Sequence, residues 1–278
     1  MAPRVLVSDE LSETAVQIFR DRGVEVDFQP QLGKDKEKLA EIIGNYDGLA
    51  IRSATKATEK LIAAATNLKV IGRAGIGVDN VDIQAASRRG IIVMNTPFGN
   101  SITTAEHAIA LMFAVARQLP AADASTQAGK WEKSKFMGVE ITGKTLGVIG
   151  AGNIGGIVCR KAIGLGMHVL AYDPFLSAER AQEMGVTKVE LDDLLAKADF
   201  ITLHVPMTDK TRGILGKEAL AKTKAGVRII NCARGGLVDE AALADAIKSG
   251  HVAGAGFDVF EVEPATESPL FGLPNVVC

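Results

Sequence analysis

Short apolar runs rich in Val, Ile and Leu alternate along the chain with longer segments of helical period. Runs of this length that are apolar on both faces and joined by helices indicate a parallel β-sheet. In the first hundred residues the pattern predicts strands at Val5–Val7, Val24–Val26, Gly48–Ile51, Lys69–Ile71 and Ile91–Val93. Between them it predicts helices at Ser12–Arg22, with Ser12 as N-cap, and at Lys36–Ile43, Glu59–Ala65 and Asp82–Arg88.

The alternation breaks at Asn95–Asn100 and then resumes. A long apolar helix is predicted at about Thr103–Gln118, with Pro120 setting its limit, followed by an irregular segment at Trp131–Gly143. Further strands are predicted at Thr145–Ile149, His168–Tyr172, Phe200–Leu203, Val227–Ile230 and Ala253–Phe257. We therefore expect two domains, residues 1–98 and 99–278, with the second doubly wound.

A glycine-rich loop follows the first strand of the second domain. Gly150, Gly152 and Gly155 give the spacing G-x-G-x-x-G between a strand and a helix, which is the context that dinucleotide binding requires. Gly150 permits a tight turn, Gly152 admits a diphosphate to the backbone, and Gly155 allows close packing of helix and strand. Asn153 and Ile154 open the helix, whose free N–H groups favour an anion.

The next predicted strand ends at Asp173, where a carboxylate can accept hydrogen bonds from ribose hydroxyls and would repel a 2′-phosphate. Pro174 and Phe175 follow, and no arginine lies beside the aspartate. The pattern therefore favours NAD over NADP. The predicted fold class is α/β, with two Rossmann-like or flavodoxin-like parallel-sheet domains, the second of which binds NAD.

Composition and charge limit the kinds of binding partner that the sequence predicts. The chain has 278 residues, is 47% hydrophobic and 23% charged, and carries a formal net charge of −2, which argues against nucleic acid or an anionic membrane. No apolar run reaches the roughly 18 residues of a membrane span. The three cysteines, Cys159, Cys232 and Cys278, are too widely spaced for a zinc site, and no metal is expected. With no signal-peptide pattern at the start, a cytoplasmic protein is expected.

Two later segments, residues 226–239 (GVRIINCARGGLVD) and 256–264 (GFDVFEVEP), join the glycine loop in a wider pattern. Together the three resemble the signature segments of the D-isomer-specific 2-hydroxyacid dehydrogenases. Residues 52–55, 72–75, 95–97 and 131–143 resemble the members of that family that act on D-3-phosphoglycerate. The resemblance implies NAD-dependent oxidation of this acid to 3-phosphohydroxypyruvate, a step of serine biosynthesis, by a homodimer or homotetramer.

Arg234 follows a buried strand, where a permanent charge is costly without a partner. Its guanidinium can bind the carboxylate and C2 oxygen of a 2-oxo acid, and the resemblance gives it this substrate-orienting role. By the same resemblance, Glu263 orients a proton-transferring histidine and Asp258 faces the nicotinamide. Further cofactor contacts are expected from His204, Val205, Cys232 and Ala233.

Substrate recognition is expected mostly from the first domain. The resemblance makes Ala74 and the following Gly75–Gly77 loop a carboxylate-binding element with Ile76 near the cofactor, although the loop could also be an ordinary turn. A phosphate ester carries about two negative charges at neutral pH. Its expected partners are Arg52, Ser53, Arg73 and the lysines Lys133 and Lys135, which could equally be only solvated.

The resemblance places the proton-transferring histidine beyond Cys278. His107, His168 and His251 are expected to be structural. We therefore expect a truncated chain, without the family's helix that returns to the first domain, that binds NAD but turns over poorly. Two alternatives stay open: a hydroxypyruvate or glyoxylate reductase, and a binding protein that senses NAD without catalysis.

Overall fold

The computed structural model describes residues 2–278, which form two compact units, 2–100 and 101–278. Each unit has its own sheet and its own buried apolar core. Within the described residues, no helix is both long and apolar enough to cross a membrane.

Residues 2–100 contain a sheet of five parallel strands in the order β2-β1-β3-β4-β5, which is the flavodoxin-like order. The strands are β1 Arg4–Val7, β2 Glu25–Phe28, β3 Gly48–Ile51, β4 Val70–Arg73 and β5 Ile92–Asn95. The helices are α1 Glu13–Asp21, α2 Lys36–Ile42, α3 Glu59–Ala64 and α4 Ile83–Arg88. Ser12 caps α1 as predicted, because its Oγ accepts a hydrogen bond from Ala15 N at 3.3 Å.

Residues 101–278 contain a sheet of seven parallel strands in the order β12-β11-β10-β9-β6-β7-β8. The strands are β6 Thr145–Ile149, β7 His168–Tyr172, β8 Thr187–Lys188, β9 Phe200–Leu203, β10 Val227–Asn231, β11 Val252–Phe257 and β12 Val276–Val277. The helices are α5 Ser101–Arg117, α6 Leu119–Gln127, α7 Asn153–Gly164, α8 Ala178–Met184, α9 Leu191–Lys197, α10 Lys217–Lys222 and α11 Glu240–Lys248. The predicted α/β class with two parallel sheets is confirmed.

The predicted long helix before Pro120 is confirmed, but the helix that follows it was not predicted. The long helix ends at Arg117, and Gln118 adopts a left-handed conformation with φ 53°. A second helix, α6, then begins, and Pro120 lies in its first turn. Proline fits the first turn of a helix because the N–H that it lacks has no partner there. Pro120 therefore both follows the long helix and lies in the first turn of the next one.

Two glycines let α5 lie close against β11. A Cβ placed on Gly254 would be 2.8 Å from Val115 Cγ1, and one on Gly256 would be 3.0 Å from Leu111 Cβ. Both distances are shorter than ordinary van der Waals contact, so a side chain at either position would move the helix away from the sheet.

Candidate functional site

The predicted cofactor residues of the second unit lie at the carboxyl ends of parallel strands. The glycine loop follows β6, Asp173 follows β7, His204 follows β9, the Cys232–Arg234 segment follows β10, and Asp258 follows β11. Strands β7 and β8 lie on one side of β6, and β9 to β12 lie on the other. In such sheets ligands bind outside the carboxyl edge at this reversal of strand order.

The glycine loop has the shape that a diphosphate needs. Gly150 has φ +93°, and a Cβ there would lie 2.7 Å from the carbonyl oxygen of His204. A Cβ on Gly155 would lie 1.9 Å from the carbonyl oxygen of Gly150, whereas the space around Gly152 is open. Gly152 is the N-cap of α7 and supplies no side-chain cap, so the N–H groups of the first turn, which begins at Asn153, can receive an anion.

Asp173 is bound to the glycine loop. Its Oδ2 accepts a hydrogen bond from Ala151 N at 2.9 Å, and its Oδ1 accepts one from Phe175 N at 2.8 Å. Each carboxylate oxygen has a second lone pair, so both keep the capacity to accept a hydrogen bond from a ribose hydroxyl.

A cavity of about 550 Å³ adjoins the glycine loop at Gly152 and Asn153. Arg160 and Arg180 also line it, and Arg180 forms an ion pair with Glu183 at 2.8 Å. The sequence analysis did not identify these two arginines. Each lies on a helix surface outside the glycine motif, and only the folded arrangement brings their charges beside the loop.

The backbone of His204 lies beside the glycine loop, because its N–H donates to the carbonyl oxygen of Ile149 at 2.7 Å. Its Nε2 is 2.9 Å from Thr202 Oγ1, and its Nδ1 is buried without a hydrogen-bond partner among the described residues. Burial lowers the pKa of His204 to about 4. The ring is therefore neutral near pH 7 and is not a proton donor in that range.

The turn that carries Arg234 is shaped by Asn231, which is 1% exposed. Asn231 Nδ2 donates to the carbonyl oxygen of Arg234 at 2.9 Å, and its Oδ1 accepts from Ala233 N at 3.0 Å. The Arg234 Nη1 donates to the carbonyl oxygen of Ala233 at 2.6 Å. Cys232 lies in the same turn. Burial raises the pKa of its thiol to about 12, and the negative charge of Asp258 makes a smaller contribution in the same direction. Cys232 is therefore a neutral thiol and not a nucleophile.

Glu263 lies on an exposed loop after β11, where its Oε1 accepts from Phe260 N at 3.0 Å. The loop is held by Glu240, a buried carboxylate at the start of α11. Glu240 accepts hydrogen bonds from Glu261 N and from Ser268 Oγ, both at 2.7 Å. Sequence analysis missed Glu240, because the partners that define its role are 21 and 28 residues away.

In the first unit, a second buried carboxylate holds the segment that contains Arg52 and Ser53. Asp9 is 2% exposed and accepts from Arg52 N at 2.6 Å and from Thr55 Oγ1 at 2.6 Å. Asn80 Nδ2 donates to the carbonyl oxygens of Arg52 and Thr55, at 2.6 and 2.7 Å. The Arg52 and Ser53 side chains are exposed, so the network fixes their backbone and leaves their polar groups accessible.

Arg73 ends the neighbouring strand β4, so it lies at the same carboxyl edge as Arg52. Its guanidinium packs over Gly75, where a Cβ would be 1.8 Å from Arg73 Nη1. Ala74 N donates to the carbonyl oxygen of Ile51, and Asn95 Nδ2 donates to that of Ile76 at 2.7 Å. The structure thus brings together Arg52, Ser53, Arg73, Ala74 and Gly75 at one sheet edge.

Lys133 lies in the second unit, exposed on a short 3₁₀ turn at Lys133–Lys135. The other lysine of this turn, Lys135, pairs with Glu132 at 2.5 Å. Among the described residues there is no cluster of His, Cys, Asp and Glu that could hold a metal ion.

A doubly wound sheet with a glycine loop and an acidic residue after the second strand defines a dinucleotide-binding protein. The chain belongs to the D-isomer specific 2-hydroxyacid dehydrogenases, whose NAD-binding domain matches residues 109–278. Relatives named D-3-phosphoglycerate dehydrogenase are 53% identical in Archaeoglobus fulgidus and 52% identical in Mycobacterium tuberculosis, each over 99% of this chain. The chain spans about half the length of these relatives, 52% in both cases.

Solved structures are also similar to this chain. A glyoxylate reductase from Paecilomyes thermophila is 34% identical with a TM-score of 0.90, covering 99% of this chain and 87% of its own. A D-lactate dehydrogenase from Aquifex aeolicus, complexed with NAD and lactic acid, is 29% identical with a TM-score of 0.82, covering 93% and 77% respectively.

Proposed function

We propose that this chain is the cofactor- and substrate-binding part of an NAD-dependent dehydrogenase that oxidises D-3-phosphoglycerate to 3-phosphohydroxypyruvate. The observation that carries the proposal is the alignment of the glycine loop, Asp173, Arg234 and Asp258 along one sheet edge. The identity of 53% and 52% to relatives named for this reaction supports the choice of substrate.

Bound NAD would supply the acceptor for the hydride that leaves C2 of the hydroxy acid. The residues present fit this cofactor, because the α7 N-terminus is uncapped and the backbone at Gly152 is open. In this arrangement the first-turn N–H groups would bind the diphosphate, and Asp173 would accept hydrogen bonds from a ribose. Val205, Cys232, Ala233 and Asp258 would surround the nicotinamide end, and the family resemblance adds Ile76 to the cofactor contacts.

Arg234 would bind the substrate through two parallel hydrogen bonds, to the carboxylate and to the C2 oxygen. The Asn231 hydrogen bonds to the Arg234 turn reduce its freedom before substrate arrives. In the reverse direction the guanidinium would stabilise the negative charge that develops on the C2 oxygen as the carbonyl is reduced.

Proton transfer at the C2 oxygen would use a histidine that Glu263 orients, which the resemblance places after Cys278. A carboxylate in contact with an imidazole fixes its tautomer and favours its protonated form. Glu240 would support this role by holding the loop that carries Glu263.

The phosphate group of the substrate would be bound by Arg52 and Arg73, with Ser53 adding a hydrogen bond. These groups lie on adjacent strand ends of the first sheet. The backbone N–H groups of the Gly75–Gly77 loop would receive the carboxylate, because that of Ala74 already donates to the carbonyl oxygen of Ile51. Lys133 would add a further positive charge. We further propose that the protein is a homodimer or homotetramer and acts in serine biosynthesis in the cytoplasm.

The test compares 3-phosphohydroxypyruvate with hydroxypyruvate, both as substrates in NADH oxidation and as ligands of the NADH-bound protein. We expect a preference of about a hundredfold for the phosphorylated acid, or about 2.7 kcal/mol. Equal affinities would instead favour a general hydroxyacid reductase, a function suggested by the likeness to the glyoxylate reductase. Tight NADH binding with no binding of either acid would favour a sensor of the cofactor.

A further inference from the structure

His107 contacts the proposed nicotinamide-facing carboxylate. Its Nε2 is 3.5 Å from Asp258 Oδ1, although the two residues lie on different elements and are 151 positions apart in the chain. The imidazole and the carboxylate are 47% and 55% exposed, so both remain accessible to a ligand. The sequence analysis had assigned His107 no more than a structural role.

The contact follows from the register between α5 and β11. On the helix, His107, Leu111 and Val115 are spaced by four residues and share a face. On the strand, Gly254 and Gly256 are two residues apart and face the helix, and Asp258 continues this row just beyond the strand. Val115 lies over Gly254 and Leu111 over Gly256, so the next pair in the same register is His107 with Asp258.

Two contacts restrain Asp258, one through its backbone and one through its carboxylate. The backbone of Asp258 is held because its N–H donates to the carbonyl oxygen of Asn231 at 3.0 Å. That bond does not restrain the side chain, whereas the contact with His107 favours the rotamer in which the carboxylate lies toward α5.

We infer that His107 is a positioning residue, which holds the Asp258 carboxylate in the orientation that receives the nicotinamide end of the dinucleotide. The inference rests on the proposed function, because it requires that Asp258 face the nicotinamide. It predicts that loss of His107 weakens binding of the nicotinamide half of the dinucleotide. Binding of the adenosine half should not change, because the glycine loop and Asp173 would bind that half without His107.

The experiment measures dissociation constants for NAD and for ADP-ribose, which lacks the nicotinamide, by titration calorimetry. For His107→Ala we expect NAD affinity to fall about three- to fivefold, the size of a partly exposed charged contact, and ADP-ribose affinity to change less than twofold. His107→Gln, whose amide can still donate to Asp258, should recover most of the loss. The matched control is His168→Ala, which removes an exposed imidazole at the opposite end of β7 and should change neither constant.

The His107→Ala substitution should not weaken the fold, because alanine stabilises an exposed helix position more than histidine does. The unfolding temperature of each variant checks this. In an Asp258→Ala background, His107→Ala should cause no additional loss of NAD affinity. Equal losses for NAD and ADP-ribose, a further loss in that background, or an unchanged NAD affinity would each overturn the inference. If the unsubstituted chain bound neither ligand, the proposed function itself would fail.

Discussion

The Asp173 carboxylate accepts a hydrogen bond from the backbone N–H of Ala151 at 2.9 Å. The residue proposed to bind the ribose is thereby tied to the loop proposed to bind the diphosphate. Movement of one would disturb the other, so the two halves of the adenosine site are expected to respond together to substitution.

The first prediction concerns cofactor choice. Asp173→Asn removes the negative charge and keeps one oxygen acceptor, so NADH affinity should fall about tenfold and NADPH affinity should rise. The rise is expected because repulsion of the 2′-phosphate is lost while Arg160 and Arg180 remain beside the loop. Both constants can be measured from NADH and NADPH fluorescence. An NADPH affinity that stayed the same would show that the carboxylate does not face the 2′-position.

The second prediction concerns the glycine loop. Gly155→Ala places a Cβ 1.9 Å from the carbonyl oxygen of Gly150, a backbone atom that cannot move without reshaping the loop. We expect NADH affinity to fall at least about tenfold, or about 1.4 kcal/mol. Gly164→Ala, on the same helix but in open space, is the control and should bind NADH normally. Similar behaviour of the two variants would contradict the proposed role of the loop.

The third prediction concerns the substrate. Arg234→Lys keeps the charge and loses the planar fork, so binding of a 2-oxo acid to the NADH complex should weaken about ten- to hundredfold. The affinity for NADH alone should change less than twofold. Calorimetric titration of the binary complex measures the first quantity. If NADH affinity fell in parallel, Arg234 would be maintaining the cofactor site instead of orienting the substrate.

The fourth prediction concerns pH. The folded pKa of His204 is about 4, against 6.5 for the free side chain, so the unfolded chain takes up a proton between these values and the folded chain does not. Stability therefore falls as pH is lowered through this window. Between pH 7 and pH 5, proton uptake by His204 in the unfolded chain lowers the free energy of unfolding by about 2 kcal/mol. The His204→Gln variant keeps a side chain that can hydrogen-bond to Thr202 but cannot take up this proton. Its free energy of unfolding, measured with urea, should therefore fall by about 2 kcal/mol less than that of the parent between pH 7 and pH 5.

Hydrogen bonds and ion pairs with Lys69 and Lys224 lower the pKa of the Asp47 and Asp199 carboxyls, and both carboxylates are the same in the parent and the variant. They therefore do not obscure the difference between the two proteins. Identical pH dependence of the parent and the His204→Gln variant would mean that folding does not lower the pKa of His204.

Sequence alone predicts the strands and the cofactor loop because their signals are local. Apolar runs of three to five residues and the spacing of Gly150, Gly152 and Gly155 depend only on near neighbours. The end of each strand then places the next residue at the sheet edge. Because helices connect the strands and make them parallel, the carboxyl ends of the strands lie at the same edge of the sheet.

The side chains that hold these segments in place could not be predicted in this way. Asp9 acts on Thr55 across 46 residues, and Glu240 acts on Ser268 across 28. An isolated Asp or Glu in the sequence indicates a solvated surface group, and only burial together with its partners reveals another role. The contact of His107 with Asp258 could not be predicted for the same reason.

The glycines of β11 also affect how the second unit folds. Glycine weakens a strand interior because it loses more backbone entropy and offers no side chain to pack. A six-residue strand with glycine at 254 and 256 thus depends on α5 for its stability, although the two are distant in the chain. We expect the backbone amides of β11 and α5 to lose protection from hydrogen exchange together, as one cooperative unit. Partial unfolding of that unit would release the Asp258 backbone from the sheet edge.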